Sequence, residues 1–91
     1  MTVITVTDGV ITCNGHAGDK ICCAMLTAIT YSVIENLERL NQPIVYEYDN
    51  KKGYSRIDVR DIDDKYSELV NSYVYSLMCI SKSYPENVKI V

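Results

Sequence analysis

The apolar and polar positions of this chain change period several times, and each change marks an element. Val3 to Val6 is a β-branched run, Asp8-Gly9 supplies tight-turn residues, and Val10 to Asn14 resumes the β-rich pattern. Together they predict a hairpin. The period then becomes helical. Cys22, Leu26, Ile29, Val33, Leu37 and Leu40 recur at intervals of four, three, four, four and three, the single apolar face of a helix of about 20 residues. Gly18-Asp19 supplies its N-terminal cap and Asn41-Gln42-Pro43 its stop.

Two further β-rich runs, residues 44–50 and 53–59, flank Lys51-Lys52, with Asn50 and Gly53 as turn residues, and predict a second hairpin. Asp61 and Asp63-Asp64 then open a second helix, since acids are favoured at the positive N-terminal end. Its apolar face is Ile62, Tyr66, Leu69, Tyr73, Leu77 and Ile80, and Pro85 ends the region. Val88 to Val91 is a short last strand.

The order is β-β-α-β-β-α-β. Hairpins impose antiparallel pairing, and two amphipathic helices need a sheet face to cover. The expected fold is therefore α+β: a two-layer sandwich of a mostly antiparallel sheet and two helices. No linker, repeat or low-complexity segment divides it, so residues 1–91 form one domain. The uncovered sheet face, or a helix face carrying tyrosine, offers a surface for a homodimer, which small domains often use.

Composition narrows the class. The net charge is -3 and the basic residues are scattered, without the stripe that direct nucleic acid binding requires. No run of about 18 apolar residues predicts a membrane span. The first residues lack the basic region of a signal peptide, and the expected location is cytoplasmic. In a reducing compartment the four cysteines, Cys13, Cys22, Cys23 and Cys79, are free thiols. Cys79 reads as core. Eight tyrosines stand without any phenylalanine or tryptophan; such amphipathic rings either fill half-buried core positions or border a groove.

The candidate chemistry lies in the stretch from Asn14 to Ile29, which holds the only histidine and two adjacent cysteines. Cys22 belongs to the apolar stripe. Cys23 is turned about 100° from it and shares a face with Thr27 and Tyr31. It lies at the helix start, where orphan amides and the macrodipole favour an anion, and the thiolate is the nucleophilic form. His16 stands seven residues earlier, where a strand-to-helix turn can bring the two together as nucleophile and base. The amides of the helix start are candidates to hold a tetrahedral oxyanion. A zinc site from Cys13, His16, Cys22 and Cys23 is the competing reading; adjacent cysteines fit one tetrahedral ion poorly, and no metal or other cofactor is called for.

Gly15-His16-Ala17, followed by Gly18, Ile21, Cys23, Ala24 and Ala28, resembles the ribosomal-processing cysteine proteases of the Prp family, with Thr27 where that family has serine. The resemblance implies a small cytoplasmic homodimer that trims the N-terminal segment of a large-subunit ribosomal protein, or cuts a related phage protein. It implies Cys23 as nucleophile and His16 as base, with Thr27 keeping a hydroxyl near the site. The family loop after the histidine is missing here, and Lys20 replaces the family aspartate, with Asp19 one position away. Asp19 reads as a helix cap or as a supporting residue, and Lys20 as a solvated residue or a partner for the thiolate. These departures keep a second reading open: a catalytically silent dimeric module that binds a ribosomal or phage protein.

Overall fold

Asp8 and Gly9 both take positive φ, 48° and 79°, the conformation of a primed two-residue turn. They join β1 (Thr2–Thr7) to β2 (Val10–Asn14). The computed structural model describes residues 1–91 and continues with α1 (Lys20–Arg39), β3 (Val45–Asp49), β4 (Tyr54–Asp58), α2 (Ser67–Ser83) and β5 (Val88–Ile90). The five strands form one sheet in the order β3-β4-β2-β1-β5. Three pairs are antiparallel; the fourth, β1 with β5, is parallel. The fold is thus the expected α+β arrangement with a mixed sheet.

Register decides which face is buried. Ile4 lies opposite Cys13 and Ile90, and Ile11 opposite Ile57, so these residues share one face with Val88. Ile4, Ile11, Cys13, Ile57 and Val88 are all buried. The intervening positions, among them Val3, Thr5, Thr12 and Arg56, point the other way, and none is buried. Both helices contribute to the same core as the first face: Cys22, Leu26, Val33, Ile34 and Leu37 from α1, and Tyr73, Leu77 and Ile80 from α2. One sheet face is covered by helices and the other is not.

The helix ends show the local physics. The Asp19 carboxylate accepts the Cys22 N–H at 2.9 Å, a side-chain cap that satisfies one orphan donor of α1. Leu40 is the C-cap rather than a helical residue, and Asn41 follows at φ 57°. By length and composition α1 is apolar enough to cross a membrane, although no span was expected; here its stripe covers the sheet. The acids before α2 shape a preceding 3-10 turn, Asp64–Tyr66, instead of the helix itself, and Asp63 accepts the Lys65 N–H there. Cys79 is exposed, against the expectation of a core residue, because it lies about 200° round α2 from Leu77.

Candidate active site

The site begins where β2 ends. Gly15 takes φ +97°, and a Cβ on it would come 2.5 Å from the Met1 carbonyl oxygen. Its carbonyl accepts the Thr2 hydroxyl at 2.7 Å, and its N–H donates to the Gly53 carbonyl at 2.9 Å. The backbone beside His16 is thereby held from two sides, by the first strand and by the β3–β4 turn. Only Ala17 to Asp19 separate His16 from α1. Ala17 is buried, and its carbonyl accepts the Asn87 side-chain amide at 2.8 Å, which ties this short link to the segment before β5.

Along α1, Cys22 and Cys23 diverge as their spacing demands. Cys22 is fully buried, and burial pushes its thiol above the usual range, with Cys23 and Asp19 adding to the effect. Cys23 is half-buried and lines a cleft of about 270 Å³. Thr27 and Tyr31, one and two helical turns further on, line the same cleft, and His16 lines it from the end of β2. Tyr48, Asn50, Gly53 and Tyr54 complete the wall across from α1. Cys23 and Thr27 from α1 and His16 from the end of β2 are therefore brought to one cavity.

The remaining candidates lie elsewhere. Asp19 does not line the cleft, and its carboxylate is engaged as the helix cap. Lys20 is exposed and does not line the cleft. The Cys22 N–H is taken by the Asp19 side chain and the Cys23 N–H by the Asp19 carbonyl at 2.9 Å. Neither of these two amides is free for an oxyanion, whereas the N–H groups of Lys20 and Ile21, the first two of α1, have no partner within the chain. The Thr27 hydroxyl has no bond back to the helix, unlike Ser76, which donates to the Ser72 carbonyl at 2.9 Å. The four candidate zinc ligands do not converge: Cys22 faces the core, and no cluster of three or more metal-ligating side chains forms.

The sequence gives no indication of the far wall. The His16 Nε2 lies 2.8 Å from the Lys51 carbonyl oxygen, so the β3–β4 turn reaches the histidine across 35 residues of chain. Asn50 bonds to the Tyr31 hydroxyl, at 3.2 Å as donor and 3.3 Å as acceptor, linking that turn to the helix of Cys23. Tyr31 also lies against Tyr48, ring centres 5.3 Å apart. Asn50 and Gly53 are recognisable in sequence as turn residues; where the turn docks depends on the register of four strands.

This geometry has counterparts. A family model described as cysteine protease Prp matches residues 4–89. The ribosomal processing protease Prp from S. aureus, solved with a covalently linked product peptide, is 26% identical over 98% of this chain and 94% of that chain, with a TM-score of 0.80. The same S. aureus protease solved with a substrate peptide aligns at 22% identity and a TM-score of 0.80, over 99% of this chain and 95% of that one. SMU.848 from Streptococcus mutans shares the fold at 24% identity and a TM-score of 0.79, over 99% and 91% of the two chains. No curated protein matches the chain. A family match across nearly all of the sequence, on a fold whose cleft holds a cysteine and a histidine, assigns the chain to the Prp family of cysteine proteases.

Proposed function

We propose that the chain is an endopeptidase in which Cys23 is the nucleophile and His16 the general base. The observation that carries this reading is their meeting in one cleft, the thiol from α1 and the imidazole from the end of β2. His16 takes the thiol proton as Sγ attacks the scissile carbonyl carbon, and returns it to the leaving amine as the C–N bond breaks. Water then attacks the thioester carbon, His16 accepting its proton and returning it to Sγ of Cys23 as the C–S bond breaks and the acid product leaves. The Thr27 hydroxyl, which lines the cleft one helical turn from Cys23, is the proposed donor to the oxyanion.

The substrate proposed is an extended N-terminal segment of a large-subunit ribosomal protein. Support comes from the S. aureus relative, a ribosomal processing protease that binds a substrate peptide. We also propose that the protein works in the cytoplasm as a homodimer, a state that light scattering on purified protein measures directly.

The test is cleavage of a synthetic peptide spanning the N-terminal extension of such a ribosomal protein, followed by mass spectrometry. Wild type should cut at one bond. Cys23→Ala should abolish cleavage, and His16→Ala should reduce it by about two to four orders of magnitude, the usual contribution of a general base. Alkylation of the native protein should modify Cys23 fastest, more slowly in His16→Ala, and leave buried Cys13 and Cys22 untouched. The short link after His16 motivates the alternative, a silent binding module. That module would bind the peptide and leave it intact, with Cys23 alkylated no faster than exposed Cys79.

A further inference from the structure

We propose that the β3–β4 turn, Asn50–Gly53, is the positioning element of the histidine, fixing which ring nitrogen accepts the proton of Cys23. The inference rests on the reading of His16 as general base. A backbone carbonyl can only accept a hydrogen bond, so the nitrogen facing the Lys51 carbonyl at 2.8 Å carries the ring proton. Neutral His16 is thereby held as the Nε2–H tautomer, and Nδ1 is left with the lone pair that acts as base. In a general base the second ring nitrogen needs such an orienting partner, and no carboxylate bonds to His16. The Lys51 carbonyl takes that place.

Gly53 makes the arrangement sterically possible. A Cβ at this position, where φ is +62°, would lie 2.9 Å from Nδ1 of His16 and 2.9 Å from its backbone nitrogen. It would obstruct the nitrogen that must stay open and push the ring from the carbonyl that holds it. The turn itself is braced. The Asp49 carboxylate accepts the N–H groups of Lys51 and Lys52, Gly53 accepts the Gly15 N–H, and Asn50 is bonded to Tyr31 of α1. The same helix carries Cys23, so base and nucleophile are referred to one frame.

Because the chain has a single histidine, ¹⁵N-histidine labelling gives one pair of ring signals. At a pH where His16 is neutral, the long-range ¹H–¹⁵N spectrum of wild type should show a protonated Nε2 and an unprotonated Nδ1. An Nδ1–H pattern, or two averaged signals, would overturn the proposal whether or not the peptide is cut. Gly53→Ala should average the two signals and lower kcat by ten- to a hundredfold with KM little changed, the range expected from misplacing a reacting group by about 1 Å. Asn50→Ala, which loosens the turn without adding a clashing atom, should shift both readouts in the same direction if Gly53→Ala folds poorly. Lys82→Ala, an exposed side chain in the last turn of α2 away from the cleft, should leave both within twofold. A locked Nε2–H tautomer that persists in Gly53→Ala and Asn50→Ala would also defeat the proposal. Absence of cleavage in wild type, by contrast, bears on the protease reading, and the tautomer still decides the role of the turn.

Discussion

At Tyr73 two helices and a strand meet through polar atoms. Its hydroxyl lies 2.9 Å from the Thr30 hydroxyl and 3.9 Å from the Cys13 thiol, and all three residues are buried. A buried hydroxyl is tolerated only while it is bonded, so the three hold one another in register. Tyr73→Phe should leave the Thr30 hydroxyl unpartnered and destabilise the fold by about 1–3 kcal/mol in urea unfolding. Tyr75→Phe, two positions along and exposed, should stay within about 0.5 kcal/mol. A Tyr73→Phe protein as stable as wild type would show that the hydroxyl chain contributes nothing. Tyr73 is legible as core from the helical spacing of α2, but its polar partners are not, since Thr30 interrupts the apolar stripe that α1 presents in sequence. Cys22 and Cys23 are the clearer case: adjacent residues on a helix face about 100° apart, and that rotation alone sends one to the core and the other to the cleft.

Among the elements, α1 carries both the core stripe and Cys23, and its start rests on Asp19. Asp19→Ala should cost about 1 kcal/mol, the usual value of a helix cap, read from the urea midpoint. Asp19→Asn keeps an acceptor for the Cys22 N–H and should be near wild type in both stability and peptide cleavage. Loss of cleavage with retained stability in Asp19→Asn would instead give the carboxylate charge a role in the reaction. The helices and both hairpins are legible because period and turn chemistry are local. Asp8-Gly9 specifies its own turn, and Asn41-Gln42-Pro43 follows the end of α1. The parallel pairing of β1 with β5 is not legible, because three residues, Val88–Ile90, carry no signal for which edge they join. The same limit hides half of the site. Cys23 and His16 are close in sequence, whereas the turn that bonds His16 reaches it only after β4 has paired with β2.

Over the whole molecule, titratable groups set opposite pH limits. At the acid end, Asp58 is held down to about 2, chiefly by hydrogen bonds from the Arg60 guanidinium and backbone. A folded-state pKa below the unfolded one means stability present above the ordinary carboxylate range and lost as pH falls toward about 2. At the alkaline end the groups are Cys13, Cys22 and Tyr73, each pushed up mainly by burial. The sign is then reversed: these groups contribute fully below the unfolded pKa, about 8.5 for a thiol and about 10 for a tyrosine, and the contribution is lost as pH rises beyond it. The urea midpoint should therefore be level from about pH 5 to about pH 8 and decline on both sides. Asp58→Asn should flatten the acid limb alone. Tyr73→Phe should make the alkaline limb shallower, because one buried ionisable group no longer has to charge. The difference in ultraviolet absorbance between wild type and Tyr73→Phe should show this one phenol, among eight, ionising only as the chain unfolds. A midpoint that stays constant up to pH 11 would contradict the burial of these three side chains, and with it the packing of both helices on one face of the sheet.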